Sequence, residues 1–121
     1  MKSSGYSKAE VLFSAATQAA NVLKLSDAEF SVVLGVDVES LADWRENMLG
    51  MSPDSAPYQN AVTFLRVAQS LSSIVGSDPK HLCGWFNAYN RDLEGVPAEL
   101  VKSQEGLASV ADYLDGHRDY I

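Results

Sequence analysis

The residues best suited to acid–base chemistry are three aspartates near the C-terminal end of the chain. Asp112, Asp115 and Asp119 recur at spacings of three and four, so one face of a helix can carry all of them. Two carboxylates held together could exchange protons with a substrate. We favour the simpler interpretation of a solvated acidic face, because charged residues at helical spacing ordinarily form the side of a helix turned to water.

The histidines and the cysteine do not form a catalytic or metal-binding pattern. His81 and His117 lie far apart, without the spacing by which paired histidines bind zinc. Cys83 is the only cysteine, which excludes a disulfide framework, and we interpret it as a small apolar residue beside Trp85, with a reactive thiol as the alternative. There is no glycine-rich phosphate loop. We therefore expect no enzymatic activity, no metal and no cofactor.

The charge balance restricts the kind of partner. The 121 residues include nine Lys or Arg and sixteen Asp or Glu, a net charge of −7, and the acidic excess occurs in both halves of the chain. Such a surface repels nucleic-acid phosphates and favours a basic partner, although it also suits an ordinary water-soluble protein. No stretch approaches the ~20 apolar residues of a membrane span, and the first residues are not followed by a signal-type apolar run, so we expect a cytoplasmic protein.

The elements that must position these residues are helices. Apolar residues recur at helical spacing, and 46% of the chain is apolar, which is enough for a packed core. Two Ser-x-x-Glu capping boxes predict helix starts after Ser7 and Ser26, and Gly35 and Asp37 predict the end of the second helix and the start of the third. The predicted buried face of the first helix consists of Val11, Leu12, Ala15, Ala19, Val22 and Leu23, and that of the third consists of Leu41, Trp44 and Met48.

The pattern continues after a stretch rich in proline and small polar residues. We predict a helix over about residues 58–75 with two apolar stripes, and further helices starting at Pro79, at Pro97 and near Gln104. The stripes consist of Tyr58, Ala61, Val62, Leu65 and Ala68, and of Phe64, Val67, Leu71 and Ile74. The prediction is an all-α chain of about seven helices, with a head over residues 1–50, a linker over 51–57 and a helical domain over 58–121.

The second and third predicted helices have the lengths and the turn glycine of a helix-turn-helix motif. Its base-reading positions would be Asp37, Glu39, Ser40, Asp43 and Arg45. Carboxylates at most of these positions are repelled by the DNA backbone, and base edges are usually read by Arg, Lys, Asn or Gln. DNA binding is therefore doubtful, and a scaffold that binds a partner protein is the alternative.

The most specific pattern in the chain lies between residues 76 and 114. It consists of Gly76, Asp78, Leu82, Trp85, Asn87, Asn90, Leu93-x-Gly95-x-Pro97, Leu100, Glu105-Gly106, Val110 and Leu114. In this order and spacing, the chain resembles the Xre/MbcA/ParS-type antitoxins over about residues 7–120. The resemblance implies an antitoxin of a type II toxin–antitoxin system, with a helix-turn-helix-like head and a toxin-binding C-terminal domain.

The resemblance also implies a partner and a site. The partner would be a RES-type toxin, which consumes NAD or transfers ADP-ribose from it, and the last segment of the antitoxin would reach into its active-site cleft. By position, that role falls on His117, Arg118, Asp119, Tyr120 and Ile121. An anionic side chain such as Asp119 could pair with arginines that bind phosphate in such a cleft.

Two other functions stay open from the sequence. One is a transcription regulator that acts through the head, since the family commonly represses its own operon. The other is an adaptor of the same fold with a different partner. We expect a homodimer in the antitoxin interpretation.

Overall fold

The computed structural model describes residues 7–46 and 51–118, with the side chain of Arg118 left out. In these residues the chain forms seven α-helices and no strand, apart from one antiparallel bridge between Asn90 and Gly95. The helices are α1 (Lys8–Val22), α2 (Asp27–Leu34), α3 (Val38–Glu46), α4 (Ala56–Val75), α5 (Pro79–Phe86), α6 (Pro97–Leu100) and α7 (Gln104–Arg118). The predicted all-α fold is confirmed.

The first two helices begin where their local sequence predicts. The hydroxyls of Ser7 and Ser26 accept the N–H groups of Glu10 and Glu29 at 3.1 Å. Each glutamate in turn accepts the N–H of its serine, at 2.8 and 2.9 Å. These reciprocal bonds satisfy backbone donors that a helix start otherwise leaves unpaired, which is why the short signal suffices to fix both starts.

The other predicted boundaries also hold. Gly35 ends α2 with a φ of 83°, a left-handed conformation that costs glycine little. Asp37 caps α3 by accepting the N–H of Ser40 at 2.8 Å. Helix α4 begins at Ala56, two residues before the predicted start, because the Ser55 hydroxyl caps it.

Helix α4 is the centre of the molecule and packs against α7, α1, α2 and α5. In one of its two predicted stripes, Phe64, Val67 and Leu71 are inaccessible to solvent and Ile74 is half-buried. Phe64 lies 5.9 Å from Phe30 of α2, whose ring stacks on Phe13 of α1 at 6.5 Å, ring centroid to centroid. The aromatic rings therefore join the first helices directly to α4.

The second stripe of α4 is only partly buried. Ala61 is inaccessible to solvent, whereas Val62 is 41% exposed. Tyr58, Leu65 and Ala68 are half-buried. The prediction that α4 lies between other helices is confirmed, but inclusion of Val62 in a buried face is wrong, since no helix of the described residues covers that side chain.

The predicted buried face of α1 is also wrong in part. Val11 and Val22 are 56% and 38% exposed, whereas Leu23 is buried as predicted. The other buried positions, which the prediction omits, are Ala9, Phe13, Ala16 and Ala20. Ala9, Ala16 and Ala20 are small side chains, which allow a packed helix backbone to approach closely, and α1 packs against α4. The helix is thus turned relative to the prediction, which had placed the larger aliphatic side chains inward.

The core is continuous through the stretch that we predict to be a linker. Met51 is 2% exposed and belongs to the same cluster as Phe13, Phe64 and Leu114. Within the stretch, the N–H of Ser55 donates to the carbonyl oxygen of Ser52 at 3.1 Å. The division into a head, a linker and a second domain stays a prediction, and Met48 lies outside the described residues.

Candidate functional site

The helix-turn-helix-like head is held to α4 by a buried amide. The Asn60 side chain donates to the carbonyl oxygen of Leu34, the last residue of α2, at 2.9 Å. A Cβ at Gly35 would lie 3.3 Å from the same amide nitrogen. Because a buried carbonyl without a partner is costly, this bond fixes the turn of the motif against the central helix.

Several of the predicted base-reading residues take part in contacts within the head. The N–H of Ser40 donates to Asp37, and this bond holds the pKa of the Asp37 carboxyl below its ordinary value. Arg45 is ion-paired with Asp27 of α2, with 2.8 Å between nitrogen and oxygen. Glu39 and Asp43 are exposed. Helices α2 and α3 and the turn glycine lie where the sequence predicts them, but the only basic side chain among the five candidates already binds a carboxylate. A helix-turn-helix geometry and a role in DNA binding stay predictions.

The end of α7 is braced by an aromatic stack. Tyr113 lies between Trp85 of α5 and His117, with ring centroids 6.4 and 4.2 Å away. The ring nitrogen Nδ1 of His117 lies 3.0 Å from the carbonyl oxygen of Tyr113. His117 is exposed, so the stack leads from the body of the protein to a surface histidine at the last turn of α7.

The same tyrosine reaches the loop between α5 and α6. Its hydroxyl donates to Asp92 at 3.0 Å. Burial raises the pKa of Tyr113, and the bond to Asp92 raises it further, because both favour the neutral phenol. The last turns of α7 are therefore attached to the loop as well as to α5.

The loop is itself held by hydrogen bonds. Asn90 and Gly95 exchange two backbone bonds, at 2.8 and 3.2 Å, and the Asn90 side chain accepts the N–H of Leu93 at 3.0 Å. A Cβ at Gly95 would meet the Leu100 side chain at 3.1 Å. The Leu-x-Gly-x-Pro pattern thus has a structural reason: the glycine closes the bridge under Leu100, and Pro97 opens α6.

The opposite flank of α7 is attached to α4 by charge. Arg66 pairs with Asp112 at 3.1 Å and with Asp115 at 2.9 Å, and Ser70 donates to Asp115 at 2.7 Å. Asp112 and Asp115 share a helix face, as the spacing predicts, and Asp119 lies outside the described residues. The interpretation as a solvated face is wrong for Asp115, which is half-buried and bound by two side chains of α4.

This contact could not be read from the aspartates alone. Arg66 lies 46 residues before Asp112, so no local spacing connects them. The one available signal is that Arg66 is the only charged residue of α4 and lies between the apolar residues Leu65 and Val67.

The first two predicted inhibitory residues, His117 and Arg118, form the C-terminal end of α7. His117 is exposed, and Arg118 is the last residue of α7. Asp119, Tyr120 and Ile121 lie outside the described residues. The structure therefore shows where the segment of residues 117–121 begins, at the end of α7. The inhibitory roles predicted for these residues are untested.

The remaining reactive side chains form no catalytic arrangement in the described part of the chain. Cys83 is half-buried and its Sγ donates to the carbonyl oxygen of Val22 at 3.0 Å, while His81 is exposed. No three His, Cys, Asp or Glu side chains of residues 7–46 and 51–118 come together as metal ligands. No helix in these residues is long and apolar enough to cross a membrane.

Comparison with known families identifies the segment that carries these features. Residues 70–119 match the family model described as the antitoxin Xre/MbcA/ParS C-terminal toxin-binding domain. The match begins near the end of α4 and contains α5, the braced loop, α6 and α7. The resemblance predicted from the sequence is confirmed for this segment. A search of curated proteins found no match.

Proposed function

We propose, from the family to which residues 70–119 belong, that this chain is the antitoxin of a type II toxin–antitoxin pair. One observation carries the proposal. The segment that matches the toxin-binding domain contains α5, the following loop and α7, and Tyr113 joins these three elements. A binding domain requires such a rigid scaffold, because a preorganised surface loses little conformational freedom when its partner binds.

The toxin that we propose as partner is a RES-type enzyme that consumes NAD or transfers ADP-ribose from it. This finer assignment follows from the family resemblance. The charge of the antitoxin supports it, because a chain of net charge −7 suits a protein whose cleft binds an anionic dinucleotide with basic side chains.

The proposed mechanism is steric occlusion of the toxin's NAD site. His117 and Arg118 start the inhibitory segment at the end of α7, and Asp119, Tyr120 and Ile121 continue it. Asp119 would pair with arginines that otherwise bind the phosphates of NAD, since carboxylate and phosphate present similar oxygen acceptors to a guanidinium group. Homodimer formation and a cytoplasmic location stay predictions of the sequence.

Co-purification tests the partner. The tagged full-length chain, expressed together with the gene that adjoins its own, should retain the product of that gene, and the product should be a RES-type protein. Matched expression of an unrelated acidic helical protein as bait controls for binding by charge alone. Lack of a RES-type neighbour, or a neighbour that washes through the column, would contradict the proposal.

A further inference from the structure

Tyr89 is an exposed aromatic residue inside the matched segment. It is 66% exposed, and the other large apolar side chains with comparable exposure in the described residues are valines that precede the match. A single exposed apolar residue is common on protein surfaces and proves nothing by itself. The environment of Tyr89 supplies the argument.

The backbone on both sides of Tyr89 is held in place. Before it, the Asn87 side chain donates to the carbonyl oxygen of Cys83 at 2.9 Å, and the N–H of Ala88 donates to Trp85 at 3.4 Å. After it, Asn90 forms the two-bond bridge to Gly95. Tyr89 is therefore presented to solvent from a fixed backbone, and a tyrosine has few rotatable bonds to immobilise when a partner covers it.

The loop that carries Tyr89 is connected to the proposed inhibitory segment. Asp92, three residues farther on, accepts the hydroxyl hydrogen bond of Tyr113, and Tyr113 stacks on His117. The loop and the last turn of α7 thus form one unit. A partner that engages the end of α7 would also lie beside the loop.

We propose that Tyr89 is a second anchor for the same toxin, outside the segment that enters the cleft. It would contact the rim of the cleft and present its ring to a basic side chain, which aromatic faces attract. The exposed Asp92 and Glu94 in the loop favour such a partner, with Arg91 as the one opposing charge. This inference rests on the proposed function.

The test is an affinity measurement with the purified RES-type toxin encoded beside this chain. Isothermal titration with full-length antitoxin should show that Tyr89→Ala weakens binding roughly tenfold or more, the usual effect of truncating an interface aromatic. Tyr89→Phe, which keeps the ring, should bind within about threefold of the wild type. Val62→Ala is the matched control, since Val62 is exposed but precedes the match, and it should not change the affinity.

The possible outcomes distinguish failure of the proposed Tyr89 contact from failure of the proposed antitoxin function. If the wild-type chain binds the toxin and Tyr89→Ala binds equally well, the anchor is refuted while the antitoxin role stands. If the wild-type chain does not bind, both are refuted. Thermal unfolding of all four proteins accompanies the titration, and the two Tyr89 variants should unfold at the midpoint of the wild type because Tyr89 is mostly in solvent.

Discussion

The Tyr113 side chain joins α5, the following loop and the end of α7 through one ring and one hydroxyl. Burial and the Asp92 carboxylate both raise its pKa above the ordinary value of 10.0. The folded state therefore retains the phenolic proton at a pH where the unfolded chain releases it. Stability from this group is complete below pH 10 and is lost as the pH rises through the raised pKa.

Tyr113→Phe tests this residue directly. The ring stack stays, the bond to Asp92 disappears, and the free energy of unfolding at pH 7 should fall by about 0.5–1.5 kcal/mol. Urea unfolding at pH 7 and at pH 10.5 should show a smaller loss of stability with pH for the variant than for the wild type. Equal losses in the two proteins would mean that the Tyr113 hydroxyl does not stabilise the fold in the way we describe.

At the scale of elements, the junction of α6 and α7 depends on a glycine. A Cβ at Gly106 would overlap the backbone carbonyl of Leu100, which explains the glycine at this position of α7. A Cβ at Gly84 of α5 would meet nothing within 4 Å. A methyl group therefore has no room at Gly106 but has open space at Gly84.

Alanine at each glycine gives a matched pair. Gly106→Ala should destabilise the protein by roughly 1–3 kcal/mol, as overpacking against backbone does. Gly84→Ala should stabilise it by about 0.5–1 kcal/mol, because alanine is the better residue inside a helix. Thermal or urea unfolding measures both. A Gly106→Ala protein as stable as wild type would show that the backbone between α6 and α7 can shift to accommodate a methyl group at little cost.

The elements also show what the sequence can predict. Helix starts were predictable because Ser7, Ser26 and Asp37 act on backbone groups within three residues. The rotation of α1 was not, because it depends on packing against other helices, which the spacing within α1 does not specify. The pairing of Arg66 with Asp115 was likewise hidden, since it joins residues far apart in the chain.

The candidate site was predictable to a smaller extent. The family pattern located the domain from the sequence. The reason for its glycines is visible only in the structure, where Leu100 lies against both Gly95 and Gly106. The brace through Tyr113 depends on a loop and a helix meeting in space, for which sequence spacing gives no signal.

For the whole molecule, the net charge of −7 leads us to expect that DNA is not the main ligand. Arg45, the basic side chain among the predicted base-reading residues, is paired with Asp27. We expect the isolated chain to give no shift of its upstream DNA at 150 mM salt in a mobility assay. A shift that weakens steeply with added salt would show phosphate contacts and contradict this expectation.

The most direct measurement is the rate of NAD consumption by the purified RES-type toxin as the antitoxin is added. The full-length chain should abolish turnover at a fixed molar ratio, whereas a chain ending at Gly116 should bind through the remaining domain but leave much of the turnover. Undiminished inhibition by the shortened chain would contradict occlusion by residues 117–121. Full turnover in the presence of excess full-length chain would contradict the antitoxin function itself.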